Sequence, residues 1–198
     1  MFVANELRKK SIAEYLLYMW QMEDIIRAFD CSLPAIRKAY ISRFEDFTED
    51  QKDEEVDWFG NLIRMMNEEG KREFGHLAIN QVIMTDLVDL HNRLLASSKF
   101  PFYNAEYYKV LPFIVELRSK NKRAEAKMKE EGHVVGLEEQ SEIETCFDAL
   151  YGVMLLRMQQ KEITPETANA IKEITTFVGL LSDYYIKDRD EGLKFDED

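Results

Sequence analysis

Hydrophobic positions recur with helical period along almost the whole chain. In "SIAEYLLYMWQMEDIIRAF", residues 11–29, Ile12, Tyr15, Met19, Met22, Ile26 and Phe29 fall on one stripe at 100° per residue, while Leu17 and Trp20 cover much of the back. A helix apolar on several sides has neighbours on several sides, so the pattern predicts a central helix from about Asn5 to Phe29. Ser32 with Pro34 then predicts a second helix through about Phe44, and Thr48 with Gln51 forms a capping box for a third. A fourth helix is expected from about Glu73 to Ser97, and a fifth, capped by Asn104, carries Pro112 inside it, which predicts a kink or a short break. Ser141 with Glu144 boxes a sixth helix along the seam Ile143, Phe147, Leu150, Met154 and Met158. Thr164 followed by Pro165 starts a seventh along Ile171, Ile174, Val178, Leu181 and Tyr185.

The expected fold is all-α: a single-domain helical bundle of about six or seven helices spanning 1–198, with a central hydrophobic N-terminal helix. Composition agrees. Forty-five per cent apolar residues in 198 supply one sizeable core, while 8 Gly and 4 Pro leave little material for the turns of a many-stranded sheet. One segment departs from the pattern: 119–136 has almost no apolar residues and is expected to be an exposed or mobile hydrophilic element.

Charge and cysteines narrow the setting. A formal charge of -12 makes nucleic acid an unlikely main partner, because binding a polyanion draws on clustered cations. Locally, "RSKNKRAEAKMK", residues 118–129, carries six basic residues against one acidic, so a nucleic-acid accessory role through this segment stands as a second alternative. Cys31 and Cys146 have no Cys-x-x-Cys spacing and read as two reduced thiols. The start "MFVANELRKKS" lacks a signal-peptide pattern, and no run reaches the ~18 uncharged apolar residues of a membrane span. A cytoplasmic protein with no membrane contact is the expectation.

The candidate chemistry lies in polar residues on apolar faces. Glu23 sits at the edge of the first helix's seam, where an unpaired carboxylate would be costly, so it is expected to be buried and paired with a cation. Arg27, one turn on, or Arg157 of the sixth helix is the expected partner. In the fourth helix His76, Asn80 and His91 interrupt the face formed by Leu77, Met84, Leu87, Val88, Leu94 and Leu95. Asn80 and His91 are roughly 16 Å apart along the axis, too far to serve one small ligand from this helix alone. Each reads first as a core polar group satisfied by a neighbour. As a site they would form a pocket between the first, fourth and fifth helices, with His91, His76, Asn80, Glu23 and Glu14 as acid/base or ligand groups and Tyr103, Tyr107 and Tyr108 as walls.

Glu-x-x-His, the spacing of di-iron bundles, occurs at Glu73–His76 and Glu130–His133, but each His follows a Gly and such spacings arise by accident in so acidic a chain. No metal site, cofactor or catalytic residue is nominated. No phosphate loop, Gly-x-Ser-x-Gly elbow or Cys/His nucleophile arrangement is present in the sequence.

"IAEYLLYMWQMEDIIRAF", "LHNRLL" and "FPFYNAEYYKVLPFIVELR" resemble a family of about this size from gut-associated anaerobic bacteria, known only as a domain of unknown function. The resemblance covers most of the chain and implies a compact helical protein, with no activity or site residues to carry over. The leading expectation is therefore a cytoplasmic helical binding or scaffolding protein, a homodimer among its possible forms, that engages a protein or small-molecule partner. The alternative is an enzyme or small-molecule receptor using the pocket near His91, Glu23 and the aromatic loop at 100–108.

Overall fold

The computed structural model describes residues 1–130 and 140–196, with the side chains of 124–130 also outside the description. Among the described residues there are eight α-helices and no strand: α1 (Phe2–Lys10), α2 (Ile12–Ala28), α3 (Leu33–Ala39), α4 (Glu49–Glu68), α5 (Ala78–Ala96), α6 (Pro101–Glu130), α7 (Glu142–Met158) and α8 (Pro165–Glu191). The all-α class is as expected. The helix count rises because the long N-terminal helix divides at Ser11, which is extended (φ -155°, ψ 108°) and whose hydroxyl accepts from the Glu14 N–H. The helix expected from Ser32 to Phe44 also stops early, as α3 ends at Ala39 and a 3-10 turn covers Ile41–Arg43.

Three other starts follow local chemistry. Thr48 with Gln51 and Ser141 with Glu144 each form a reciprocal capping box, and the Thr164 hydroxyl accepts from Thr167 N–H before α8. α5 starts later than its apolar period, at Ala78, because 71–77 is not helical. Gly75 in that stretch has φ +82°, a conformation that costs glycine little. α6 begins at Pro101, three residues before the expected cap, and Asn104 instead donates to the Phe100 carbonyl. Pro112 neither breaks nor ends α6. Its ring is exposed, so the Tyr108 carbonyl left without a donor lies on the solvent side.

The chain forms two compact units, Met1–Ile83 and Met84–Asp198, with the division inside α5. In the first, α2 packs on α1 and α4, burying Ile12, Leu16, Met19, Met22 and Ile26 together with Phe59, Leu62 and Met66. In the second, α6, α7 and α8 pack on one another around Tyr103, Val110, Ile114, Phe147, Ile174, Phe177 and Leu181. The expected α8 seam is buried apart from Tyr185, whereas on α7 burial fades from Ile143 and Phe147 to an exposed Met158. Of the hydrophilic segment expected at 119–136, residues 119–123 are an exposed continuation of α6 and the helix persists to Glu130; 131–136 lie outside the described residues. Among the described residues, no helix is long and apolar enough to cross a membrane.

Candidate functional site

Three features carry chemistry: one polar cluster in each unit, and one helix face.

In the first unit Glu23 is fully buried (0% exposed) on α2. Its Oε2 lies 2.6 Å from His76 Nδ1, while Oε1 accepts from the Leu77 backbone N–H at 2.9 Å and from Asn80 Nδ2 at 2.8 Å. Ala78 N–H is taken by Glu69 at 2.7 Å. Two carboxylates from other helices thus satisfy N–H groups that α5 leaves open at its start, where the helix dipole favours negative charge. The expected cation partner is corrected. Arg27 bonds Asp24 at 2.8 Å and the carbonyls of Lys71 and Gly75, pinning the 71–77 segment, and Arg157 is exposed on α7. Residue 23 lost its expected partner because a guanidinium one turn away reached backbone carbonyls that only the folded segment presents.

His76 stacks on Trp20, ring centroids 4.1 Å apart and 14° from parallel, with 32% of its side chain exposed. If Nδ1 carries the proton shared with Glu23, Nε2 is left as an acceptor. Asn80 Oδ1 is buried without a hydrogen-bond partner among the described residues. Glu14 does not join this cluster; it is exposed in the first turn of α2. Glu73 is exposed outside any helix, so Glu73 and His76 do not share a helix face, and the Glu130–His133 spacing falls outside the described side chains. Among the described residues, no group of three or more His, Cys, Asp or Glu is placed to hold a metal ion.

A second buried carboxylate escaped the sequence. Glu55 of α4 accepts from the Met1 amino group and from Phe2 N–H at 3.1 Å, capping α1 as Glu23 caps α5. An apolar environment at one position of an acidic helix was the available signal, and the run "EDQKDEEVD" hid it.

In the second unit His91 (4% exposed) lies among the rings of Tyr103, Tyr107 and Phe177. Its Nδ1 is 2.7 Å from the hydroxyl of fully buried Tyr103 and its Nε2 is 3.9 Å from Glu142. Burial lowers the His91 pKa to about 4 against the opposing pull of Glu142, so the ring is neutral at pH 7. Burial also pushes Tyr103 upward, so its hydroxyl keeps its proton and donates to Nδ1. Tyr107 donates to Glu142 at 2.8 Å, and burial with that carboxylate raises its pKa to about 12. Arg118 Nη1 lies 3.9 Å from the same carboxylate, while its Nη2 donates to the Gln140 carbonyl at 3.0 Å. Cys146 nearby is buried, its thiol pushed up to about 12 by desolvation. This is a packed aromatic core with its polar atoms satisfied, the arrangement that gives His91 a structural role.

The proposed pocket residues therefore fall into two groups: Glu23, His76 and Asn80 meet in the first unit, His91, Tyr103 and Tyr107 in the second. Tyr108 belongs to neither. It points outward on α6 (66% exposed), along with Phe102 (61%) and Val115 (58%). On that outward side Pro101, Ala105 and Pro112 are also exposed, so the face opposite Tyr103, Val110 and Ile114 is apolar for about four turns.

A family model described as a domain of unknown function, DUF4924, matches residues 1–192. The chain belongs to the DUF4924 family. No curated protein and no solved structure matches this DUF4924 chain.

Proposed function

We propose that this protein is a helical binding module, cytoplasmic and bacterial, that docks a partner protein on the outward face of α6. The observation that carries this reading is the apolar row Phe102, Tyr108 and Val115, more than half exposed on a helix whose opposite side is already fully packed. Large side chains grouped in this way mark interaction surfaces, whereas single exposed ones do not. The ordinary helix physics of the unit gives them no other role, since α7 and α8 already bury Tyr103, Val110 and Ile114. Two cysteines without a disulfide accord with a reducing compartment.

The test is capture by the immobilised chain and by its Val115→Glu variant, compared by mass spectrometry. Proteins held by the first and lost by the second support docking on α6; identical sets from both overturn it.

A second reading rests on His76. A half-exposed imidazole oriented by a buried carboxylate and backed by an indole is the arrangement of a general base or a ligand anchor, and Asn80 Oδ1 beside it has no partner among the described residues. Native mass spectrometry and elemental analysis of the purified protein decide whether a small molecule or metal travels with it. A bare mass in both removes this reading.

A further inference from the structure

We infer that the partner seated on α6 is a second copy of this chain, paired antiparallel through the same face; the inference rests on the docking reading above. Two observations carry it.

The first is the register of the stripe. Positions 101, 105, 108, 112, 115 and 119 alternate in steps of 4 and 3, the spacing of a helix-pairing seam, and all six are exposed. Their order is close to a mirror image about the point between Tyr108 and Lys109. Run antiparallel against itself about that point, α6 sets Phe102 opposite Val115 and Ala105 opposite Pro112, twice each by symmetry. Large residues meet at the ends and small ones inside them, which lets the backbones approach. At the centre Tyr108 meets the partner's Lys109, an aromatic face against an ammonium that its own helix holds in place through Glu106 at 2.5 Å.

The second observation is charge. Beyond the stripe α6 continues into Arg118, Lys120, Lys122 and Arg123 with no acidic residue among them. The other end of the unit is acidic. Tyr184 of α8 contacts both Phe100 and Tyr103, so α8 runs antiparallel to α6 and its last turns extend past the start of α6. Those turns and the tail after them carry Asp188, Asp190, Glu191 and Asp196 against Arg189 and Lys194, and Asp196 folds back onto Ser97 and Ser98. In the antiparallel pair, Lys120 to Arg123 of each copy pass the start of the partner's α6 by ~6–10 Å, the level of that acidic end. Each copy's cationic extension thus faces the other's anionic terminus, and a parallel pair would set like charges together.

The experiment is light scattering with sedimentation on the full chain at micromolar concentration and low salt. The expected mass is twice 23.4 kDa. Val115→Glu should weaken the pair by about 30-fold or more without loss of helical circular dichroism, because the residue is exposed in the monomer. Reversing Lys122 and Arg123 to Glu should weaken it as well, and reversing Asp190 and Glu191 to Lys in the same chain should restore it. A monomer at every concentration overturns the second copy as partner, as does a dimer indifferent to Val115→Glu or a charge reversal without rescue. In the monomer case docking on α6 is judged separately by the capture comparison, so the two failures are told apart.

Discussion

At the scale of single residues, the two buried polar clusters give opposite forecasts. Glu23 is an acceptor of three donors, so Glu23→Gln preserves shape while turning one accepting edge into a donor that faces Leu77 N–H, Asn80 Nδ2 or His76. A buried group left without its partner costs its full desolvation, and we expect a loss of about 3 kcal/mol in urea unfolding, well above the change from the exposed Glu14→Gln. A loss under about 1 kcal/mol, the size of an ordinary net hydrogen bond, would refute the capping role of this carboxylate. His91 instead sets a pH dependence. Its pKa is about 4 folded against 6.5 for a free histidine, so the unfolded chain binds the proton first. The stability from keeping the ring neutral is complete above about 6.5 and is lost as the pH falls toward 4, by roughly 3 kcal/mol. The groups facing the ring are Tyr103, Tyr107 and Glu142, and only Glu142 titrates near this window. Denaturation midpoints of the protein and of His91→Gln should therefore converge between pH 7 and pH 4.5; parallel curves would show that the imidazole is not the group responsible.

At the scale of elements, helix ends show what a sequence exposes and what it hides. Thr48 with Gln51, Ser141 with Glu144, and Thr164 with Pro165 were legible because cap and capped N–H lie within about one turn, so local chemistry decides them. Ser11 with Glu14 has the same spacing, yet it stands inside a continuous apolar period, and the period concealed the cap. The start of α5 was illegible for a different reason. Its caps come from Glu23, 54 residues before Leu77, and from Glu69, 9 before Ala78, so no local signal exists. The same distance explains why Glu23 was rightly expected to be buried but was given the wrong partner: burial follows from the helix's own periodicity, whereas the donors arrive with the fold. Ser11→Ala measures the hidden cap. The expected loss is about 1 kcal/mol, as at other N-caps, read from the urea midpoint at unchanged slope. A neutral outcome would mean that α1 and α2 join into one helix when the serine is gone, and the gain in helical circular dichroism would report it.

At the scale of the whole molecule, net charge and local charge pull apart. The chain carries -12, yet the exposed end of α6 concentrates cations with no core beneath it: between Val115 and Arg123 every side chain is exposed or only partly covered. Helix hydrogen bonding alone holds a segment of this length weakly, since isolated helices below ~12–15 residues are marginal in water. The backbone from Ser119 to Arg123 should accordingly open with little free energy, and Lys120, Lys122 and Arg123 supply trypsin with three sites in it. We expect the first cut there, ahead of Arg64, Lys109 and Lys172, which stand on helices with buried faces. Concentration then separates two states of the same segment. In a monomer the cleavage rate per molecule is independent of protein concentration at fixed protease. In the antiparallel pair each extension lies against the acidic end of its partner, so the rate should fall as dimer forms and rise again with added salt, which screens the contact beyond ~10 Å at 0.1 M. First cleavage elsewhere would show that the extension is held by contacts of its own, and a rate blind to concentration would separate its weakness from any partner.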